Sequence, residues 1–111
     1  MATGKDLRRM ALALEGTTEA PHFDRAAFKV ARIYVTLAAD GRTANFKFSA
    51  GDQELKCMLA PAAFHPVEGG WGRQGWTTAK LAELSAPELK DALERAWREA
   101  QPKKRPQRAR R

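Results

Sequence analysis

The sequence predicts an α+β domain: an antiparallel sheet with helices packed on one face, in the order α-βββ-α-ββ-α. Three observations carry this. Short runs between Ala26 and Ser49 alternate apolar and polar residues, the pattern of strands with one packed and one wet face. Asp40-Gly41 between two of these runs is a hairpin signal. Apolar residues at helical spacing bracket them, over Lys5–Glu15 and again after Ser85. With 111 residues the chain has room for one domain and one modest core.

In the first helix Leu7, Met10, Ala11 and Leu14 form the apolar stripe, with Arg8 and Arg9 off it, and Gly16 is placed to cap its end. Thr17–Arg25, with Pro21 and mixed charge, reads as a loop. In Ala26–Ala31, Phe28 and Val30 oppose Lys29. In Ile33–Ala38, Ile33, Val35 and Leu37 oppose Tyr34 and Thr36. In Thr43–Ser49, Ala44, Phe46 and Phe48 oppose Asn45 and Lys47. The predicted wet face therefore holds Lys29, Tyr34, Thr36, Asn45 and Lys47.

Asp52 is expected to cap a helix through Leu59 that Pro61 stops. Phe64–Val67 reads as a short extended piece and Gly75–Leu81 as a strand. Between them Gly69-Gly70-Trp71-Gly72-Arg73-Gln74-Gly75-Trp76 reads as a tight crossing with its indoles anchored in the core. Ser85-Ala86-Pro87-Glu88 is a capping box, followed by the helical stripe Leu89, Ala92, Leu93, Ala96 and Trp97, which Pro102 ends. Residues 1–101 thus form a single domain, and residues 102–111 a basic tail with too few apolar groups to fold by itself.

The net charge is +7. Lys103, Lys104, Arg105, Arg108, Arg110 and Arg111 account for six of these charges, which leaves 14 basic against 13 acidic residues in 1–101. The tail is therefore the dominant electrostatic feature, suited to phosphates. No apolar run approaches the ~20 residues of a membrane-spanning helix. A single cysteine, Cys57, excludes an internal disulfide and fits a reducing cytoplasm. His22, His65 and Cys57 lack the closed spacing of a metal site, and Cys57 reads as a small packed residue. Without a nucleophile–base pair, a catalytic role would have to recruit His22 or His65 beside Asp24 or Glu68. A non-catalytic monomer without cofactor is expected.

Four segments in this order, Gly16–Phe23, Ala27–Val30, Trp71–Thr77 and Leu93–Trp97, resemble the MmcQ/YjbR-like proteins. The resemblance spans roughly residues 5–101. It implies a CyaY-like α+β sandwich that binds DNA through hairpin wings, and it supplies no catalytic motif. Under that expectation Lys29, Arg32, Arg42, Lys47 and Arg73 join the tail cations on DNA phosphates. The alternative is an interaction domain for a protein or small ligand, with a pocket near Trp71, Arg73 and Trp76 and no nucleic-acid role.

Overall fold

Six strands form one fully antiparallel sheet, with helices against one of its faces, in the computed structural model, which describes residues 1–102. The elements run α1 (Gly4–Ala13), β1 (Thr18–His22), β2 (Arg25–Lys29), β3 (Ile33–Leu37), β4 (Thr43–Lys47), α2 (Ala50–Leu59), β5 (Phe64–Pro66), α3 (Gly70–Arg73), β6 (Trp76–Lys80), a 3-10 turn (Leu81–Glu83) and α4 (Ala86–Glu99). The spatial order is β1-β2-β3-β4-β6-β5. The predicted class and order are observed, with one further strand, β1, before the others and one short helix, α3, between the last two strands.

Register sorts the strand residues onto two faces. Phe28, Val35, Phe46 and Thr77 are paired in a row, as are Leu37, Ala44, Ala79 and Phe64 in the neighbouring row. Both rows point at the helices, where Leu7, Ala11, Leu81, Leu84, Leu89, Leu93 and Ala96 complete the core. Within it Phe46 and Phe48 stack at 5.6 Å between ring centres, and Phe64 meets Phe46 edge-on at 6.3 Å. Offset and edge contacts of this kind add to the burial itself.

The helix ends follow the sequence signals closely. Ser85 and Glu88 form the expected reciprocal capping box on α4, and Thr3 with Asp6 builds a second one on α1. The cap of α2 is Ser49 rather than Asp52: the Ser49 hydroxyl accepts the Asp52 amide, because the helix starts three residues earlier than expected. Trp97 packs half-buried against the core and donates its indole N–H to the Glu15 carbonyl at 2.9 Å, tying α4 to the end of α1. A carboxylate–cation chain joins α2 to α4: Lys56 and Arg95 both reach Asp91, and Arg95 continues to Asp52 at 2.7 Å. Burial pushes the Asp91 carboxyl up, and the hydrogen bonds from Lys56 and Arg95 outweigh it, so it lies below the ordinary value.

Two departures from simple alternation matter for function. Thr18–His22, read above as a loop, is an edge strand paired with β2, all five residues exposed. Its polar sequence and Pro21 suit an edge, where a missing N–H and a charge discourage pairing with another chain; Pro66 sits on the opposite edge. The second departure is a β-bulge. Phe28 pairs with Val35 and Lys29 with Ile33, so Tyr34 is the extra residue. Its side chain turns into the core instead of onto the wet face, fully buried, with its hydroxyl 2.8 Å from that of Thr17 and 3.3 Å from the Ala11 carbonyl it donates to. Burial raises its pKa, keeping the phenol neutral. Ile33 correspondingly leaves the core row for the other side of the sheet.

Candidate binding face

The side of the sheet turned away from the core carries Thr18, Ala20 and His22 of β1 and Arg25, Ala27 and Lys29 of β2. Ile33 and Thr36 follow from β3, then Asn45 and Lys47 of β4, Trp76, Thr78 and Lys80 of β6, and His65 of β5. Ala27 is 2 % exposed yet stands outside the core cluster, as a small residue between taller neighbours on this second face should. The floor is fixed by its own hydrogen bonds. The Arg25 guanidinium lies across β3, its Nε donating to the Thr36 hydroxyl at 2.8 Å, and the Thr78 hydroxyl donates to Asn45 at 2.8 Å.

Charge is divided between the layers. None of the strand positions on this face is an Asp or Glu. Every ion pair among the described residues lies on the helix side, including Arg8 of α1 with Glu19, whose place in β1 points it toward the helices. Arg25, Lys29, Lys47 and Lys80 have no carboxylate partner among the described residues. A body that is nearly neutral in sum thus presents one cationic, hydroxyl-rich face.

The site residues expected from the sequence fall in different places. Lys29 is exposed on this face, and Lys47 is half-buried on it beside Trp76. Arg32 belongs to the same end of the sheet, but its guanidinium donates to the carbonyls of Glu99 at 2.9 Å and Gln101 at 3.5 Å, so it closes the end of α4. Arg42 stands at the opposite end, after the β3–β4 turn, by the N-terminal residues. Arg73 is exposed at the end of α3. Lys103, Lys104, Arg105, Arg108, Arg110 and Arg111 lie outside the described residues. Arg25 was missed because its segment read as a loop; the signal available was its place directly before an alternating run.

The tryptophan pair is arranged otherwise than a core anchor. Gly70–Arg73 forms a short helix that carries Trp71 outward, 62 % exposed, while Trp76 is half-buried at the start of β6. Both line a cavity of about 230 Å³ on the open face, with His22, Phe23, Arg25, Thr36, Asn45 and Val67. Arg73 does not line it, so the pocket expected from Trp71, Arg73 and Trp76 keeps the two indoles and loses the cation: α3 turns Arg73 away from it. A wider cleft of about 870 Å³ lies between α1 and the β1–β2 and β3–β4 hairpins, and the Arg8–Glu19 pair already occupies part of its rim.

Among the described residues no group of three or more His, Cys, Asp or Glu is placed to hold a metal, and no helix is long and apolar enough to cross a membrane. Cys57 is half-buried, and burial pushes its thiol up, away from the thiolate a nucleophile needs.

Comparison with known proteins points to a family and a fold. The YjbR family profile matches residues 12–99. A Deinococcus radiodurans protein with a DUF419 domain superposes with a TM-score of 0.73 at 23 % identity, over 86 % of this chain and 76 % of that one. A Pseudomonas syringae protein superposes with a TM-score of 0.64 at 16 % identity, over 87 % of this chain and 97 % of that one. At these identities the superpositions speak for the fold alone. No functionally curated protein matches.

Proposed function

The chain belongs to the YjbR family, and from that premise we propose that it is a non-catalytic, cytoplasmic DNA-binding domain whose interface is the open face of its sheet. One observation carries the reading: the sheet separates its charges, with the ion pairs of the described residues on the helix side and, on the other, strand positions that hold unpaired cations and no carboxylate. Lys29 and Lys47 contact phosphates at one end of the face, and Arg25 supports them from the middle. The chain leaves α4 beside the same end, where Glu99 and Ala100 border Lys47 and Trp76, and continues into the six tail cations. Arg42, at the far end, is not part of this interface. Hydroxyls and the Asn45 amide supply neutral donors to the backbone, as in other sheet platforms for nucleic acid.

Such binding is electrostatic and therefore weak and salt-sensitive. A titration of labelled DNA with the full chain is expected to show affinity falling steeply with salt, each neutralised phosphate adding ~0.7–0.9 to the log–log slope. Absence of binding at low salt would overturn the reading.

A further inference from the structure

Phe23 is the one non-glycine residue among those described with a positive φ, at 60°. It is the first central residue of the two-residue turn closed by the His22–Arg25 pair, a position that hairpins ordinarily give to glycine. A bulky residue in the left-handed region is strained, and nothing in the core repays it, because the ring is 93 % exposed. Among the described residues its one aromatic partner in ring contact is His22, edge-on at 4.8 Å. Across the open face stands Trp71, also exposed, and the two share the walls of the 230 Å³ cavity with Trp76. Typical small-molecule sites measure ~300–1,000 Å³. This slot has room for one planar ring rather than a cofactor.

The surroundings say what kind of ring. The slot is lined by aromatic side chains, by Arg25, which donates to Thr36, and by Asn45, on a face whose strand positions hold no carboxylate and where Lys47 stands beside Trp76. Aromatic walls within a cationic surface match a base attached to a phosphate backbone. In a duplex the bases are stacked and paired, and their faces are not offered to a protein. Resting on the reading of this face as a DNA interface, we propose that the cavity between Phe23, Trp71 and Trp76 takes one unpaired base, making the domain a single-strand binder whose turn strain holds Phe23 out as a stacking platform.

The test uses the full chain, a labelled oligothymidylate of about 12 nucleotides, within usual site sizes, and a duplex of equal length. Phe23→Gly and Trp71→Ala are the variants; both side chains are exposed, and glycine suits the turn, so both are expected to melt no lower than the parent. The single strand is expected to bind more tightly than the duplex. Each variant should lose on the order of five- to a hundred-fold for the single strand and leave duplex binding unchanged. A duplex bound as tightly, or equal losses on both substrates, overturns the slot while leaving phosphate binding in place. No binding of either substrate overturns both readings. Thymidine monophosphate competing as well as the oligomer overturns the strand in favour of a free nucleotide. A dimer that Phe23→Gly dissociates with DNA binding unchanged overturns it in favour of a second copy of the chain.

Discussion

Gly75→Ala is expected to unfold the domain under conditions where the parent is stable. An added Cβ at this position would lie 2.0 Å from the Phe48 carbonyl oxygen, and φ is +108°, where L side chains are strained whatever the space. Relief by movement is blocked. The Phe48 amide donates to the Gly75 carbonyl at 3.1 Å, and the Phe48 ring is stacked in the core. From the opposite side the Gln53 amide of α2 donates to the carbonyls of Gly72 at 2.9 Å and Trp76 at 3.2 Å. The expected loss is ~3 kcal/mol or more, out of the ~5–15 kcal/mol that hold a domain of this size. That corresponds to a fall in melting temperature on the order of 12–24 °C by circular dichroism. Gly51→Ala in α2 is the control: its Cβ would meet nothing within 4 Å, and alanine is the better helix former, so no loss is expected there. A mild effect of Gly75→Ala would mean that the crossing from α3 to β6 is looser than described.

Reversing two charges on the open face, Lys29→Glu with Lys47→Glu, is expected to remove most DNA binding at low salt. The pair changes four units of charge on a face that has no carboxylate of its own among its strand positions, and each lost phosphate contact also lowers the salt slope by ~0.7–0.9. A reduction on the order of a hundred-fold is expected at low salt, where the Debye length is ~30 Å at 0.01 M, shrinking as salt closes it to ~3 Å at 1 M. Lys90→Glu makes the same kind of change on α4, at a lysine paired with Glu94, and is expected to leave binding nearly unaltered. Equal effects from the two sites would show that only net charge matters. Fluorescence polarisation measures all of these, with a thermal melt to verify that the doubly reversed protein is folded.

The architecture was legible in the sequence because local chemistry decides it. The Ser85–Glu88 box, the helical stripe of α4 and the alternation of β4 each specify their element without outside help. What was not legible depends on partners. Thr18–His22 has no apolar alternation, since as an edge strand it buries nothing, and only its pairing with β2 makes it a strand. Tyr34 obeys alternation on paper; one extra residue opposite Phe28 and Lys29 sends it to the other side. The crossing read as tight from its glycines, and Gly72 and Gly75 are indeed where backbone passes closest, whereas the outward pose of Trp71 follows from four residues closing into α3. The candidate face was half visible. Lys29, Lys47 and Asn45 were on it from the sequence, but the near balance of 14 cations and 13 acids concealed that the fold sorts them by layer. Counting charges along a chain cannot show which side of a sheet they occupy.

The central claim is that nucleic acid lies on the open face of the sheet. Amide chemical-shift mapping of the isotope-labelled full chain, titrated with oligothymidylate at low salt, tests it residue by residue. Shifts are expected along Phe23–Lys29, at Asn45 and Lys47, and through Trp71–Thr78, with the amides of α1 and the outer side of α4 unmoved. Shifts confined to the helix layer, or to the tail cations with the sheet silent, would contradict it.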